Sequence, residues 1–303
     1  MRLVAGRAVA GAALIVAVAG YCYGVAGTFN SPAETSSTFD SMYPVDRLIQ
    51  FKVSVANRSA DYIPHARVFV DAPIKQTSSQ LVKGISASTP YIVTADEYGH
   101  QRLEFMLNDV APFALSEIKV SVEMAFAHTP NRAARVDEDR FRRSSRYIEA
   151  SDPTIGGMAR QLARDDLLAT SESLFSWVAT NIEYAGYIAP DLGAKYALEH
   201  RRGDCTEYAY LYAALARAND IPTRAIAGYV LRDTSTLRSE DFHNWSESLL
   251  AERWTIVDPQ KKVFNDSYKN YLAVRVIADD PAGQENGVAR FWADDKRLQV
   301  AMK

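Results

Sequence analysis

The chain has 303 residues, 48% of them apolar and 23% charged, a balance that fits a globular protein with material for two cores. Its formal net charge of −3, with no long run of one sign, excludes the basic footprint that nucleic acid requires. No Gly-x-x-x-x-Gly-Lys phosphate loop and no Gly-x-Gly-x-x-Gly turn occurs, so no cofactor is expected.

Residues 1–27 stand apart from the rest. Arg2 and Arg7 precede an uncharged run from Ala8 to Gly27, the charge-then-apolar order of an export signal. Gly24-Val25-Ala26 offers the small residues of a cleavage site, while a run of about 20 residues also suffices for an uncleaved anchor in the inner membrane. Both alternatives place the body of the protein in the periplasm or another extracytoplasmic space. Cys22 stays with the export segment, which leaves Cys205 as the only cysteine of the body. A structural disulfide within the body is thereby excluded.

Residues 28–43, rich in Ser, Thr and Pro, read as a tether. Beyond it the apolar residues alternate. Ile49, Phe51, Val53 and Val55 form one set, Val68 and Val70 another, Leu103, Phe105 and Leu107 a third, and Ile118, Val120, Val122, Met124 and Phe126 a fourth. Turn residues at Asn57-Arg58-Ser59, Asp71-Ala72-Pro73, Glu97-Tyr98-Gly99 and Asn108-Asp109 separate them. The expectation for 44–128 is an antiparallel immunoglobulin-like β-sandwich, with His65, His100 and His128 as isolated packed or solvated residues. Residues 129–145 are Arg-rich and read as a solvated linker of mixed charge. Helical spacing then appears at Ile155, Met158 and Leu162, and again at Leu167, Leu174, Trp177 and Val178, so a second, α+β domain is expected over 146–303. Its last part contains one strand, Tyr271 to Ala278, and a closing segment around Phe291 and Trp292 that is expected to complete its sheet.

The chemistry concentrates in this second half. Tyr208, Leu211, Tyr212, Leu215 and Ala218 recur at helical spacing, and Gly203 and Asp204 supply the turn and the N-cap, so Cys205 falls in the first turn of a buried helix. The unpaired N–H groups and positive dipole there are expected to lower the thiol pKa. A nucleophilic thiolate needs a general base, and the base needs an orienting group. His243, Trp245, Glu247 and Leu249 alternate on one face of a strand, as do Trp254, Ile256 and Asp258 on the next. A hairpin closing at Ala251-Glu252 would pair Leu250 with Arg253 and make His243 and Asp258 diagonal neighbours. Zinc held by Cys205, His243 and Asp258 is disfavoured because no Cys-x-x-Cys or His-x-x-x-His pair gives a local chelate, so no metal is expected. Trp245 either walls the cleft or packs in the core, and Glu247 is expected to make a structural hydrogen bond.

Gly203-Asp204-Cys205 ahead of a helix, Ala-Arg-Ala-x-x-Ile-Pro-x-Arg ending at Arg224, Gly228-Tyr229-Val230, His243-x-Trp245-x-Glu247 and Trp254-x-x-x-Asp258-Pro259 together resemble the transglutaminase-like superfamily. The resemblance runs along residues 150–262. It implies a papain-like fold with Cys205 as nucleophile, His243 as base and Asp258 as orienter, and the preceding β domain resembles that of some exported bacterial members. Helix-start geometry makes the Cys205 backbone N–H the first donor of an oxyanion hole; Tyr184 and Tyr187 sit upstream, where the resemblance implies an aromatic donor, and Tyr184 is the candidate second donor. The expected activity is thiol-dependent acyl transfer on amide bonds of an extracytoplasmic protein or peptide, resolved by water as a peptidase or amidase. Two alternatives stay open: a protein cross-linking transglutaminase, and a non-catalytic scaffold with a vestigial triad whose sandwich binds an envelope protein.

Overall fold

A computed structural model describes residues 41–133, 138–231, 236–277 and 290–303. The export segment and nearly all of the expected tether lie outside the described residues. Among the described residues no helix is long and apolar enough to cross a membrane. The last residue of the expected tether already belongs to the first domain: Tyr43 is buried, and its hydroxyl donates to the Thr77 carbonyl at 2.6 Å.

The first domain contains β1 (Val45–Asn57), β2 (Ile63–Ala72), β3 (Gln80–Ala87), β4 (Tyr91–Ala95), β5 (Gln101–Val110) and β6 (Leu115–Phe126). Two antiparallel sheets face each other across one core, to which Phe51, Val53, Val68, Val70, Leu103, Phe105, Val120 and Val122 contribute. All are residues of the alternating sets, because a strand that buries one face must place its apolar side chains at period two. Four of the six strands carry that signal. β3 and β4 do not; both are edge strands, and β4 buries no residue at all.

The second domain opens with α1 (Pro153–Leu162) and α2 (Leu167–Asn181), capped by Asp152 and Asp166. The short strand β7 (Glu183–Tyr184), helix α3 (Gly193–His200) and strand β8 (Arg202–Gly203) lead into α4 (Cys205–Arg217). A five-stranded antiparallel sheet follows, formed by β9 (Thr223–Val230), β10 (Phe242–Leu250), β11 (Arg253–Asp258), β12 (Val263–Phe264) and β13 (Tyr271–Ile277) in the order β12-β11-β10-β9-β13. The hairpin of β10 and β11 has the expected register, Leu250 opposite Arg253, with Ala251 and Glu252 as its two-residue turn. Both turn residues have positive φ, 45° and 60°, as the mirror-image hairpin turns require. Neither is glycine, so the turn carries strain of about 1–2 kcal/mol per residue. The connector holds it in place: Ala133 N–H donates to the Glu252 carbonyl at 2.8 Å.

That contact shows the linker to be more than solvated chain. Phe141 is buried edge-on against Trp254, 5.4 Å between ring centroids, and the Arg217 guanidinium donates to the Arg143 carbonyl at 2.8 Å. A second expectation is corrected at the C-terminus. The segment around Phe291 and Trp292 does not complete the second sheet. Its strands β14 (Phe291–Ala293) and β15 (Leu298–Met302) pair with β2 and β1 of the first domain, closing one edge of each facing sheet. The physical reason is that Leu298 and Met302 find an apolar core there, beside Val53 and Val55.

The domains share more than chain crossings. Gln80, fully buried, donates its amide to the Ile74 and Ala273 carbonyls, each at 2.9 Å, and accepts the Ala273 N–H at 2.7 Å. Tyr229, Leu231, Leu272 and Val274 of the second domain join the core of the first. The seam is therefore joined by a shared apolar core and by the paired polar groups around Gln80.

Candidate active site

Helix α4 and strand β10 meet along a buried polar ladder. Asn244, Ser246 and Ser248 alternate on the face of β10 that packs on the helix. The Asn244 amide donates to the Thr206 hydroxyl at 2.9 Å, Ser246 donates to the Ala209 carbonyl at 2.8 Å, and Ser248 shares a hydrogen bond with Tyr212 at 2.9 Å. Positions three apart on the helix thus meet positions two apart on the strand. This fixes the helix start against the beginning of β10, where His243 stands.

His243 lies on the opposite face. It is 4% exposed, and its Nε2 is 2.6 Å from Asp258 Oδ2. Asp258 is itself 1% exposed, and the Tyr271 hydroxyl donates to the same Oδ2 at 2.8 Å, while the Lys261 N–H donates to Oδ1 at 3.0 Å. Burial first, and then the charge of Asp258, holds the Tyr271 phenol far above its ordinary pKa, so Tyr271 remains a donor at every working pH. With Nε2 occupied by the carboxylate, Nδ1 is the ring nitrogen left for chemistry.

Cys205 is half-buried at the start of α4, whose N-cap Asp204 accepts the Thr206 N–H at 2.7 Å. The thiol differs from expectation. Burial, and next the charge of Asp204, push it up to about 11, against the opposing effect of hydrogen bonds from the Asn244 backbone N–H and the Thr206 side chain. Desolvation therefore outweighs the helix start while the sulfur stands alone. Asp258 is near enough for its charge to raise the thiol further. The structure thus gathers Cys205, His243 and Asp258 at one end of the β10–β11 hairpin.

Tyr184 is brought to the same place by a backbone pairing. β7 runs parallel to β8, with Tyr184 opposite Gly203 and the Ala185 N–H on the Gly203 carbonyl at 2.9 Å. Its ring is 54% exposed, and burial, followed by the charges of Cys205 and Asp204, raises its phenol. Trp245 is not a wall of the cleft. It is 1% exposed and sits edge-on to Tyr271, 5.0 Å between centroids, in the core beneath His243. The alternation that puts it on the His243 face also buries it, because β10 is an interior strand. Glu247 is likewise structural: Arg224 binds its Oε2 through Nε at 2.9 Å and Nη2 at 2.6 Å, and the guanidinium stacks over Trp254 at 4.1 Å.

The sequence reading missed Glu207. It completes a capping box with Asp204, accepting the Asp204 N–H at 3.1 Å, and its other oxygen accepts the Leu192 N–H at 3.0 Å. Asp204 in turn accepts the Ile188 N–H at 3.0 Å, so the two carboxylates pin the segment 185–192 beside the thiol. The signal was present, an acidic residue three positions after the cap. Burial, with the charge of Asp204 beside it, raises the Glu207 carboxyl well above the usual carboxylate range. A folded-state value above the unfolded one, about 4.3, means that the folded protein binds the extra proton in the interval between them. Stability from this group is therefore present at low pH and is lost as pH rises through the folded value. Denaturant unfolding between pH 5 and 8 should show this decline in the native protein and a flatter curve in Glu207→Gln; equal slopes would contradict it. Among the described residues no three His, Cys, Asp or Glu side chains form a set that could hold a metal.

Residues 157–259 match the family model of the transglutaminase-like superfamily. The chain resembles the crystal structure of a candidate cysteine protease from Cytophaga hutchinsonii, with 17% identity over 86% of this chain and 92% of that one and a TM-score of 0.56, a likeness of fold. The periplasmic domain of TgpA from Pseudomonas aeruginosa is 17% identical over 71% of this chain and 88% of its own, with a TM-score of 0.37. Red sea bream transglutaminase is 12% identical over 70% and 49%, with a TM-score of 0.30. No curated protein matches the sequence.

Proposed function

Residues 157–259 carry a transglutaminase-like core, and from that premise we propose that the protein is a thiol-dependent acyl-transfer enzyme acting on amide bonds, with water as the acceptor. The observation that carries this reading is the buried pair of His243 and Asp258 at 2.6 Å, with Tyr271 on the same carboxylate oxygen and Cys205 alongside. A buried imidazole aligned by a carboxylate is costly as packing alone and is what a general base requires.

In the proposed reaction His243 Nδ1 takes the Cys205 proton, and Asp258 stabilises the imidazolium so formed. The thiolate sulfur bonds to the amide carbonyl carbon. The oxyanion is received by the Cys205 backbone N–H, with the Tyr184 hydroxyl as the proposed second donor. His243 returns its proton to the amine as the C–N bond breaks, which leaves a thioester. Water, deprotonated by His243, releases the acid and restores the thiol. The substrate is proposed to be an extracytoplasmic protein or peptide, reached after export by residues 1–27. The facing sheets of the first domain support an immunoglobulin-like reading, with an envelope protein as its proposed partner.

The test needs no known substrate. Alkylation of Cys205 should proceed well below pH 8.5, the range of a free thiol, and His243→Ala should move the curve upward toward the value of about 11 set by burial. Equal, slow alkylation in both proteins would instead support the non-catalytic scaffold. Stable incorporation of a labelled primary amine into a glutamine-containing protein would replace hydrolysis with cross-linking.

A further inference from the structure

We propose that the first domain is a working part of the active site: Gln80 is a positioning residue that, through strand β13, keeps the Tyr271 hydroxyl on Asp258. This rests on the acyl-transfer reading and adds to it two residues, Gln80 and Tyr271, that lie outside the matched core of 157–259. β13 is an edge strand of the second sheet, with only β9 beside it. An edge strand presents a row of unpaired N–H and C=O groups, and where these are buried they must find partners elsewhere. Here the partners come from the first domain. The Ala273 N–H donates to Gln80 Oε1 at 2.7 Å, and the Ala273 carbonyl accepts from the Gln80 amide and from the Ile74 N–H, each at 2.9 Å. A side-chain amide carries the donor and the acceptor of a peptide unit, so Gln80 stands where a residue of a further strand would.

A register shift follows at once. Ala273 lies opposite Gly228 but Arg275 lies opposite Ala227, so Val274 is an extra residue in β13. Such a bulge moves the outward-facing backbone groups by one position. The next contact accordingly falls at Val276, whose N–H donates to His100 Nε2 of the first domain at 3.0 Å. One domain thus holds the edge on both sides of the bulge. Tyr271 stands two residues before Ala273, about 7 Å along the strand, and the register is unbroken between them. Its hydroxyl donates to Asp258 Oδ2 at 2.8 Å. Bonds between a hydroxyl and an oxygen end near about 3.0 Å, which leaves roughly 0.2 Å of play. An edge free to drift further than that would lose the bond. The ring cannot compensate by turning, because it is buried in one core with Trp245 and with Ile74 of the first domain. Without Tyr271, Asp258 Oδ2 would keep His243 alone, and the carboxylate would be free to pivot about the Lys261 N–H on Oδ1.

Two quantities test this on the intact protein and its variants. One is the burst rate of p-nitrophenol from p-nitrophenyl acetate, taken well below each melting temperature. The other is the NMR position of the His243 Nε2 proton, assigned by its absence in His243→Ala. Gln80→Met keeps the length of the side chain and removes both of its contacts to Ala273. It should slow the burst by about tenfold, the effect of one lost hydrogen bond to a charged group, and shift the proton. Tyr271→Phe should do the same at least as strongly, and the double variant should be no slower than Tyr271→Phe, because Gln80 acts through Tyr271. Should Gln80→Met fail to fold, Gln80→Asn, one methylene shorter, carries the comparison. A lower melting temperature with an unchanged burst and an unmoved proton would reduce Gln80 to a packing residue and overturn the proposal, as would additive effects in the double variant. If the native protein gives no burst, the acyl-transfer reading falls alone, and the coupling is judged on the proton, which must still shift in Gln80→Met.

Discussion

Asp258→Asn is expected to lower the rate of Cys205 acylation by about 10³–10⁴-fold while leaving the fold intact, an effect of the size that a triad carboxylate commands through the tautomer of its histidine. The expectation follows from the three donors that converge on this carboxylate. Oδ2 receives His243 Nε2 and the Tyr271 hydroxyl, and Oδ1 receives the Lys261 N–H. An amide matches the shape but cannot satisfy all three. With its NH2 at the Oδ2 position it faces the ring and forces the hydrogen onto Nδ1, the nitrogen that must accept the thiol proton. With its oxygen there, the NH2 meets the Lys261 N–H, donor against donor. Removing the charge also takes away one influence that raises the Cys205 thiol, but that influence is smaller than burial and smaller than Asp204. The loss of imidazolium stabilisation therefore wins. The measurement is the burst of p-nitrophenol from p-nitrophenyl acetate beside a thermal melt. A native burst rate in Asp258→Asn would remove the carboxylate from the mechanism.

Gly228→Ala is expected to destabilise the protein by more than about 4 kcal/mol, in the range reserved for a clash that nothing can relieve. Gly228 lies opposite His243 on β9. A Cβ there would stand 2.0 Å from the Leu272 carbonyl oxygen and 2.7 Å from the Trp245 ring. Neither neighbour can retreat. Trp245 is packed against Tyr271, and the chain at Leu272 is held through Ala273, whose N–H and carbonyl are both bound by Gln80 of the other domain. Overpacking in a core that can adjust costs about 1–3 kcal/mol; here the obstacle is backbone, clamped from two sides. At about 2–4 °C per kcal/mol for a domain of 150–250 residues, the melting temperature should fall by roughly 10 °C or more. A melt within 2 °C of native would show that the sheet yields.

The parts of this molecule legible in its sequence are those whose signal is local. Alternation located β1, β2, β5 and β6 because each buries one whole face. It located the β10–β11 hairpin although Ala251 and Glu252 give no turn signature, since the pattern on both flanking strands fixes the register. The position of Cys205 after Asp204 was equally local. What escaped was whatever depends on a distant partner. β3 and β4 are half-exposed edges without alternation. Phe141 looked like a solvated linker residue because its partner, Trp254, is remote in the chain. The role of Tyr271 depends on a hydroxyl reaching Asp258 across the sheet. Gln80 joins Ala273 over 193 positions. The thiol was misjudged for a related reason: helix-start chemistry can be read from five residues, but desolvation is a property of the assembled cleft.

The two C-terminal strands set the order in which this protein can be made. Ser54 on β1 donates to the Ala301 carbonyl, a partner 247 positions later, so the β-sandwich leaves the ribosome before the domain that follows it and is finished after that domain. Until β14 and β15 arrive, β1 and β2 each present an open edge to any passing strand. Loop closure over such a span adds little to the equilibrium cost but slows assembly, because the long-range pairing must be found after the intervening domain is in place. A chain cut short anywhere before Leu298 consequently lacks a closed first domain. Both sheets therefore close around the seam that holds Gln80 and Ala273 together only once β14 and β15 have paired with β2 and β1.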